Sequence, residues 1–445
     1  MAGGTFISQN KIRPGAYLNF KSVETPTSKV GSRGIVTFAT NLNWGAEGEL
    51  IDVYSSELIS GDSLAKVGFT SMDTDAKLLN LALSNAHLAK IYRLNKGGVK
   101  ASKTIGELTV TAKYAGTFGN KIAILIKATD TSVFEVSIYA DGYLVDTQKA
   151  ATVGELKDND YVVFSGTSTA ALTAISSTLL ENGTNGDVSN VSTNYTEYFK
   201  LLKTAQWQTL AIVQDSASVS GTAISFIKQM REDEGKYVQL VLANSETADY
   251  EGIINNVSSI KMGDETITAD EFNAYVAGIT AGASVIESNT GKVVDGATSI
   301  IDPLTNDEII AGLQAGKFIL SLNQDGKVKV EKDINSLHTF TTEKTYTFSK
   351  NRVIRTLDEI GTSICSLWET TYLGKVSNND AGRMLFKSSI INYLTELQNI
   401  GAIQNFDSDA VEVVAGNDID SVVATIAVKP VDSMEILYMT VNITD

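Results

Sequence analysis

The last hundred residues constrain the fold most, because two helices there lead into strands that run to the end of the chain. Apolar periodicity predicts the helices near 351–373 and 379–400. Strands are predicted near 410–414, 420–429 and 434–443. No catalytic pattern occurs in this series, and a helix pair followed by a terminal strand is typical of a subunit that joins other subunits.

Three stretches of this region, at residues 350–360, 372–383 and 430–441, resemble the C-terminal domain of contractile phage tail sheath proteins. That family includes the sheaths of R-type bacteriocins and of defective prophage tails from Gram-positive bacteria. The stretch from Tyr114 to Asn120 is also similar to a Gly-Thr-x-Gly-Asn turn that family members carry before a strand. The resemblance implies a structural subunit of a contractile tail.

The composition places the chain among globular proteins and argues against nucleic acid as a partner. A length of 445 residues predicts roughly two to four domains. The net charge of -16 opposes binding to a phosphate backbone. The single cysteine, Cys365, excludes an intramolecular disulfide and fits a reducing cytoplasm. No signal peptide or membrane span is predicted. We expect assembly in the bacterial cytoplasm, followed by release through lysis.

We predict an α/β (α+β) multidomain fold in which a small β domain is inserted into an α/β domain. A strand at residues 34–40 begins the α/β part, and a helix to which Asp73-Thr74-Asp75 offers N-cap oxygens follows it and runs to about Leu94. The predicted parts are an extended arm at 1–20, an α/β domain at 21–99 plus 195–348, an inserted β domain at 100–194, a C-terminal domain at 349–430 and an arm strand at 431–445.

The inserted β domain is predicted from short β-rich runs separated by turn residues. Asp141-Gly142 is a hairpin signal between two of them. The runs lie at 108–110, 122–126, 134–139 and 161–164. Outside this domain, buried strands are predicted at 209–213, 237–242 and 318–322. Because the resemblance implies that extra modules do not obstruct the sleeve, we expect the β domain on the outer surface.

The search for chemistry predicts no catalytic residue, no metal ligand and no cofactor site. Histidine is limited to His87, in a predicted helix, and His338, beside a Thr-rich strand, and neither has a ligand partner nearby in sequence. Every Gly-Lys pair lacks the Ser or Thr that a phosphate-binding loop needs. The acidic residues at 232–234 and around Asp302 lack the oxygen spacing of a calcium loop. We therefore expect that the chain is not an enzyme.

A basic cluster between residues 349 and 390 opposes the acidic average. It holds six positive residues against four negative ones, and Arg383 and Lys387 are spaced to share one face of the second helix. One interpretation is an ordinary solvated face. The resemblance implies another, in which this helix docks on an inner tail tube by charge complementarity.

Both chain ends are candidate contacts with other copies, because an extended strand with unpaired backbone groups invites strand addition. The alternative is that each end pairs within its own subunit. The candidate residues are Tyr17, Leu18, Asn19 and Phe20 at the start, and Ile436, Leu437, Tyr438, Met439 and Val441 at the end.

The resemblance implies a subunit that forms stacked hexameric rings, a helical homo-oligomer, around an inner tail tube bound at a baseplate. Contraction of the sleeve drives the tube through a target envelope, and the tail terminator protein is a further partner. Two other function classes stay open. One is a carbohydrate- or receptor-binding surface protein that uses the β domain, and the other is an α/β enzyme, which the motif search disfavours.

Overall fold

The computed structural model describes residues 2–4, 15–17, 33–130, 132–188, 191–214 and 216–444. The chain divides into two compact units. The larger unit comprises Gly31–Thr362 and Pro430–Asp445, and we call its part Gly31–Thr362 the body. The smaller unit, which we call the hairpin unit, comprises Met1–Val30 and Ser363–Lys429.

Helices and strands are numbered along the chain. The helices are α1 (Ser55–Ser60), α2 (Leu64–Val67), α3 (Lys77–Leu83), α4 (Val191–Leu202), α5 (Ser216–Lys228), α6 (Ala269–Gly282), α7 (Asn306–Gln314), α8 (Asn351–Leu367) and α9 (Asp380–Asn399). The strands are β1 (Ala2–Gly4), β2 (Gly15–Tyr17), β3 (Ile35–Thr40), β4 (Leu50–Tyr54), β5 (Leu88–Arg93), β6 (Ser102–Ile105), β7 (Leu108–Ala112), β8 (Ile122–Ala128), β9 (Phe134–Ala140), β10 (Tyr143–Ala150), β11 (Val162–Gly166), β12 (Ile175–Leu179), β13 (Thr209–Ala211), β14 (Gln239–Ala243), β15 (Ile253–Asn256), β16 (Ser259–Met262), β17 (Glu265–Ile267), β18 (Ala297–Ile301), β19 (Lys317–Phe318), β20 (Leu320–Leu322), β21 (Val328–Val330), β22 (Val411–Ala415) and β23 (Val422–Ile426).

The body is built on a seven-stranded sheet in the order β19-β15-β14-β13-β3-β5-β4. Neighbouring strands are parallel, except that β4 runs antiparallel to β5. Val241 of β14 packs with Phe272 of α6 in one apolar cluster, whereas the next residue, Leu242, packs with Phe226 of α5 in another. Because side chains alternate along a strand, the two clusters lie on opposite faces of the sheet. This arrangement confirms the α/β fold class.

An all-antiparallel β-sandwich is inserted after β5. Its two sheets have the orders β10-β9-β8-β12 and β11-β7-β6, and they enclose a core that includes Phe118, Ile124 and Val162. The β9–β10 hairpin turns at Asp141 and Gly142, whose φ angles are 47° and 86°. Two successive positive φ angles are typical of a type I′ turn. The predicted strand runs and the predicted hairpin are therefore confirmed.

The hairpin unit contains the second predicted helix, α9, and the antiparallel pair β22–β23. Asn379 caps α9, because its side chain accepts a hydrogen bond from the Gly382 amide at 2.9 Å. Helix α8 starts in the body, and its residues 363–367 belong to the hairpin unit. The predictions of both helices and of the strands near 410–414 and 420–429 are confirmed.

The prediction of one helix from Asp73 to about Leu94 is wrong. Helix α3 ends at Leu83, and the chain then enters β5, which pairs with β3 and β4. Asp73 does not cap α3, because its carboxylate instead accepts the Thr70 amide at 2.6 Å. A short apolar run such as β5 has no periodicity that separates a buried strand from a buried helix.

The predicted strand at 434–443 is absent from the described residues, which carry no helix or strand from 431 to 444. A strand requires a partner ladder for its backbone groups, and no such ladder is formed along this stretch. Among the described helices, none combines the length and apolar character that a membrane crossing requires.

Candidate assembly surfaces

The end of the chain exposes a run of large apolar side chains. We call residues 430–435 the arm root and residues 436–444 the free segment. Leu437 and Tyr438 are 81% and 91% exposed. The full exposed set is Met434, Ile436, Leu437, Tyr438, Met439, Val441 and Ile443. Exposed apolar residues in one continuous run are typical of a surface that another chain covers.

The backbone of the free segment, like its side chains, is available for contact with another chain. Residues 436–444 belong to no helix or strand, so their amide and carbonyl groups are not engaged in a ladder. Fully extended, nine residues reach about 30 Å. The segment therefore has the length to pair along the edge of a strand that belongs to another molecule.

The N-terminal candidates are only partly described. Tyr17 ends β2, which pairs in parallel with β1 through the register Gly4↔Tyr17. Leu18, Asn19 and Phe20 lie outside the described residues. The assignment of these four residues to contacts with other copies stays a prediction.

The β22–β23 pair offers open edges in the hairpin unit. Within the described residues it is a two-stranded sheet, so each strand has one side without a neighbour. Val414 and Val423 are exposed on it. The side chain of Asn378 donates to the carbonyls of Ile419 and Ser421 at 2.9 Å each, which fixes the turn that joins the strands.

The two tube-facing candidates on α9 differ in how firmly they are held. Arg383 donates to the Asn378 side chain at 2.8 Å and forms an ion pair with Asp380. Lys387, one turn further along α9, is half-buried and has no ion pair among the described residues. Met384 lies between them in sequence and is exposed. Lys387 is therefore held by fewer contacts within the chain than Arg383.

The basic cluster predicted between residues 349 and 390 does not form one surface, because its first members are buried in the body. Arg355 is fully buried, and its guanidinium donates to Asp333 at 2.9 Å. Arg231, from another part of the body, binds Asp358 through two hydrogen bonds of 2.8 and 2.6 Å. These ion pairs connect the first part of α8 to other elements of the body. They are internal connections and not a docking face.

The electrostatics around α8 follow from burial and partners. Burial disfavours the charge on Arg231, but the charge and hydrogen bonds of Asp358 outweigh it and raise the arginine pKa. For Arg33 the neighbouring carboxylates do not outweigh burial. Burial, together with the like charge of Arg355, lowers the pKa of Arg33 to about 10, although Asp358 and Glu359 oppose this shift.

The histidines are not brought into a chemical site. His87 is exposed just before β5, outside the helix that was predicted for it. His338 is exposed, and its Nδ1 lies 2.9 Å from the Ser336 carbonyl and 3.4 Å from Asp249. No cluster of three or more metal-ligating side chains occurs among the described residues.

Sequence reasoning missed the polar contacts that hold the arm root, in which Thr290, Lys350 and Glu435 take part. Their separations of 85 and 145 positions leave no local pattern. The charge of Glu435, which lies between Met434 and the apolar run 436–439, was the one available signal.

Comparison with known proteins gives a consistent result along the chain. Three family models match: the phage tail sheath protein beta-sandwich domain at residues 96–185, the central domain at 189–336 and the C-terminal domain at 343–444. The chain is 34% identical over 473 aligned residues to the phage-like element PBSX protein XkdK of Bacillus subtilis, with 100% of both chains covered.

Solved structures agree with this result. The sheath tail protein of Desulfitobacterium hafniense is 40% identical, with a TM-score of 0.81, and the match covers 94% of this chain and 97% of that one. The helical sheath of the anti-feeding prophage in its contracted state shares the fold at 13% identity, with a TM-score of 0.58 and coverage of 96% and 98%. The chain belongs to the phage tail sheath protein family.

Proposed function

We propose that this chain is the subunit of a contractile tail sheath, which forms stacked hexameric rings around an inner tube and contracts to drive the tube through a target cell envelope. The observation that carries the proposal is the free segment, which in a member of the sheath family leaves a run of apolar side chains and an unpaired backbone for another copy. The similarity to a contracted sheath supports the contractile role.

In this proposal the free segment pairs with a strand edge of a neighbouring copy, and the β22–β23 pair offers such edges. Burying a side chain such as Leu437 or Tyr438 contributes about 1.5–3 kcal/mol each. Each ladder hydrogen bond adds about 0.5–1.5 kcal/mol. The N-terminal arm, including Tyr17, Leu18, Asn19 and Phe20, makes a second connection of the same kind.

Because a contact between different patches of identical copies generates a helix when its rotation does not close, such links produce a helical polymer. Flexible links let rings rotate and slide as rigid bodies while they remain connected. Contraction then draws on conformational free energy, since new lateral contacts form in the compact state. The chain contributes no enzymatic activity and needs no nucleotide or cofactor.

The inner tail tube, the baseplate and the tail terminator are the other partners in this proposal. Helix α9, with Lys387 and Arg383, faces the tube and docks by charge complementarity, whereas the β-sandwich lies on the outer surface. Subunits assemble in the bacterial cytoplasm and leave the cell in the finished particle after lysis.

Electron microscopy of the purified chain, alone and with its tube protein, tests the proposal. We expect tubular polymers from the intact chain, and folded monomers without polymers after removal of residues 1–20 or of residues 434–445. Normal sheaths from either truncation contradict the interlocking of chain ends. Monomers that never polymerise but bind glycans favour the alternative, a carbohydrate-binding surface protein.

A further inference from the structure

The arm root is tied to the body by a buried ion pair. Lys350, just before α8, donates to Glu435, and the two side chains are only 7% and 9% exposed. Asp432 lies 3.2 Å from the same ammonium group. Beyond Glu435, the free segment makes no side-chain hydrogen bond or ion pair to the described part of the chain. Glu435 is therefore the last tie between the chain end and the body.

The other oxygen of Glu435 is held as firmly. The Thr290 hydroxyl donates to Glu435 Oε1 at 2.8 Å, and the Asp333 amide donates to the Thr290 hydroxyl at 2.9 Å. The Asp333 carboxylate is itself buried and accepts from Asn351 and Arg355 at 2.8 and 2.9 Å. A chain of bonds thus connects Glu435 to the buried polar groups at the start of α8.

The contact with Glu435 favours the charged form of Lys350. Burial lowers the pKa of Lys350, but the hydrogen bond of Glu435 and the charges of Glu435 and Asp432 outweigh it, so the net pKa lies above its ordinary value. Removing the carboxylate leaves the buried ammonium group with the carboxylate of Asp432 at 3.2 Å and the ring of Tyr346. The contact is accordingly specific to a carboxylate at position 435.

We propose that Glu435 is a positioning residue for sheath assembly: its carboxylate fixes the point and direction in which the free segment leaves the body. This proposal rests on the function proposed above, because it assumes that the free segment pairs with another copy. A root that is fixed keeps the segment aimed at its acceptor. A loose root lets it point elsewhere for most of the time.

The size of the effect follows from the competent fraction. If a loose root leaves the segment aimed correctly about a tenth of the time, the apparent affinity between copies falls about tenfold. Glu435→Gln keeps the shape of the side chain and removes its charge. Glu246→Gln is the matched control, because Glu246 is exposed in a loop of the body and has no bond among the described residues.

Two readouts separate positioning from a loss of fold. The first is the critical concentration for polymer formation, measured by sedimentation. The second is the mobility of a spin label in the monomer, attached at Met434→Cys for the root or Val441→Cys for the tip, in a Cys365→Ser background because Cys365 is exposed. Thermal unfolding verifies that each variant is folded.

For Glu435→Gln we expect about a tenfold higher critical concentration, a more mobile root label and an unchanged tip label, all relative to Glu246→Gln. An unchanged root label or an unchanged critical concentration overturns the proposal. If Glu435→Gln does not fold, Thr290→Val keeps both charges and is expected to shift both readouts in the same direction by less. An unshifted Thr290→Val then overturns the proposal.

Deletion of residues 436–445 distinguishes this proposal from the function on which it rests. If the deletion variant polymerises normally, the role of the free segment is wrong and the positioning role falls with it. If the deletion abolishes polymers while Glu435→Gln behaves like Glu246→Gln, only the positioning role is wrong.

Discussion

The arm root and the free segment are neighbours in sequence but differ in the burial of their side chains. In the root, Glu435 is buried against Lys350 and Thr290. In the free segment, Leu437 and Tyr438 are almost fully exposed. Polar groups are satisfied inside the subunit, whereas apolar groups are left outside it. The difference indicates that residues up to Glu435 belong to the folded subunit and that the residues after it are available to contact another copy.

The largest expected effect comes from placing charges in the free segment. Because successive residues of a strand point to opposite faces, the double variant Leu437→Asp/Tyr438→Asp places a charge on both faces and blocks any pairing that buries either one. We expect complete loss of polymers in electron micrographs, with an unchanged melting temperature of the monomer. The control is Met72→Asp, which alters an equally exposed apolar residue of the body. Equal loss in both variants contradicts the special role of the segment.

For the buried polar groups of the body we expect a loss of stability, which the variant of the free segment does not show. Arg355→Met leaves the Asp333 carboxylate buried without its cation, which costs about 3–5 kcal/mol of unfolding free energy. Chemical denaturation measures this loss, with Lys200→Met on an exposed helix face as the control. A stability equal to that of the control contradicts the view that this pair holds α8 on the body.

On α9, too, one charged side chain has partners within the chain and another has no ion pair among the described residues. Arg383 is engaged by Asp380 and Asn378, whereas Lys387 has no such partner among the described residues. We expect Lys387→Glu to weaken co-sedimentation with tube protein by roughly two- to fivefold at low salt, from about 0.2–1 kcal/mol per exposed ion pair. Arg383→Glu is expected to have the smaller effect. The reverse order of the two variants contradicts this assignment.

The smallest effect is expected at a half-exposed ion pair in the body. Lys77 lies 2.5 Å from Glu271 and 3.1 Å from Glu265. Lys77→Met is expected to lower the unfolding free energy by about 0.5 kcal/mol at neutral pH, since solvent screens such pairs. Urea denaturation of this variant, beside Lys200→Met, measures the difference.

The pH dependence of that difference has a defined sign. Burial raises the pKa of Glu271, but the hydrogen bonds of Lys77 and Thr268 and the charge of Lys77 outweigh it, so the net pKa is lowered from 4.5. A lowered carboxylate pKa contributes stability above the unfolded pKa, and this stability is lost as pH falls through the folded pKa. The penalty of Lys77→Met should therefore vanish in acid. A penalty that persists there shows that packing and not charge was lost.

The parts of the fold that local signals specify were predictable. The Asp141-Gly142 turn acts within a few residues, so the sequence alone predicted it. The helix near 379–400 was also predicted, and in the structure Asn379 caps it through a local hydrogen bond. Strand β5 was predicted as helix, because its environment between β3 and β4 comes from distant parts of the chain. Tertiary pairing overrode the local pattern there.

The candidate surfaces were predictable only in part, for the same reason. The apolar run of the free segment is local, and its residues were predicted from the sequence. The burial of Lys350 and Arg355 is not local, because their partners Glu435 and Asp333 lie 85 and 22 positions away. A sequence shows a charge but not its partner. The sequence therefore gave no sign that Arg355, a member of the basic cluster, is internal.

Cross-linking between copies tests the central claim most directly. A photoreactive amino acid replaces Tyr438, and equal amounts of ordinary and heavy-isotope subunits are mixed as monomers, polymerised, irradiated and digested for mass spectrometry. If the free segment pairs with another copy, cross-linked peptides that join an ordinary subunit to a heavy one will be abundant. If cross-links at position 438 always join peptides of the same isotope, the segment folds back on its own chain and the account is wrong.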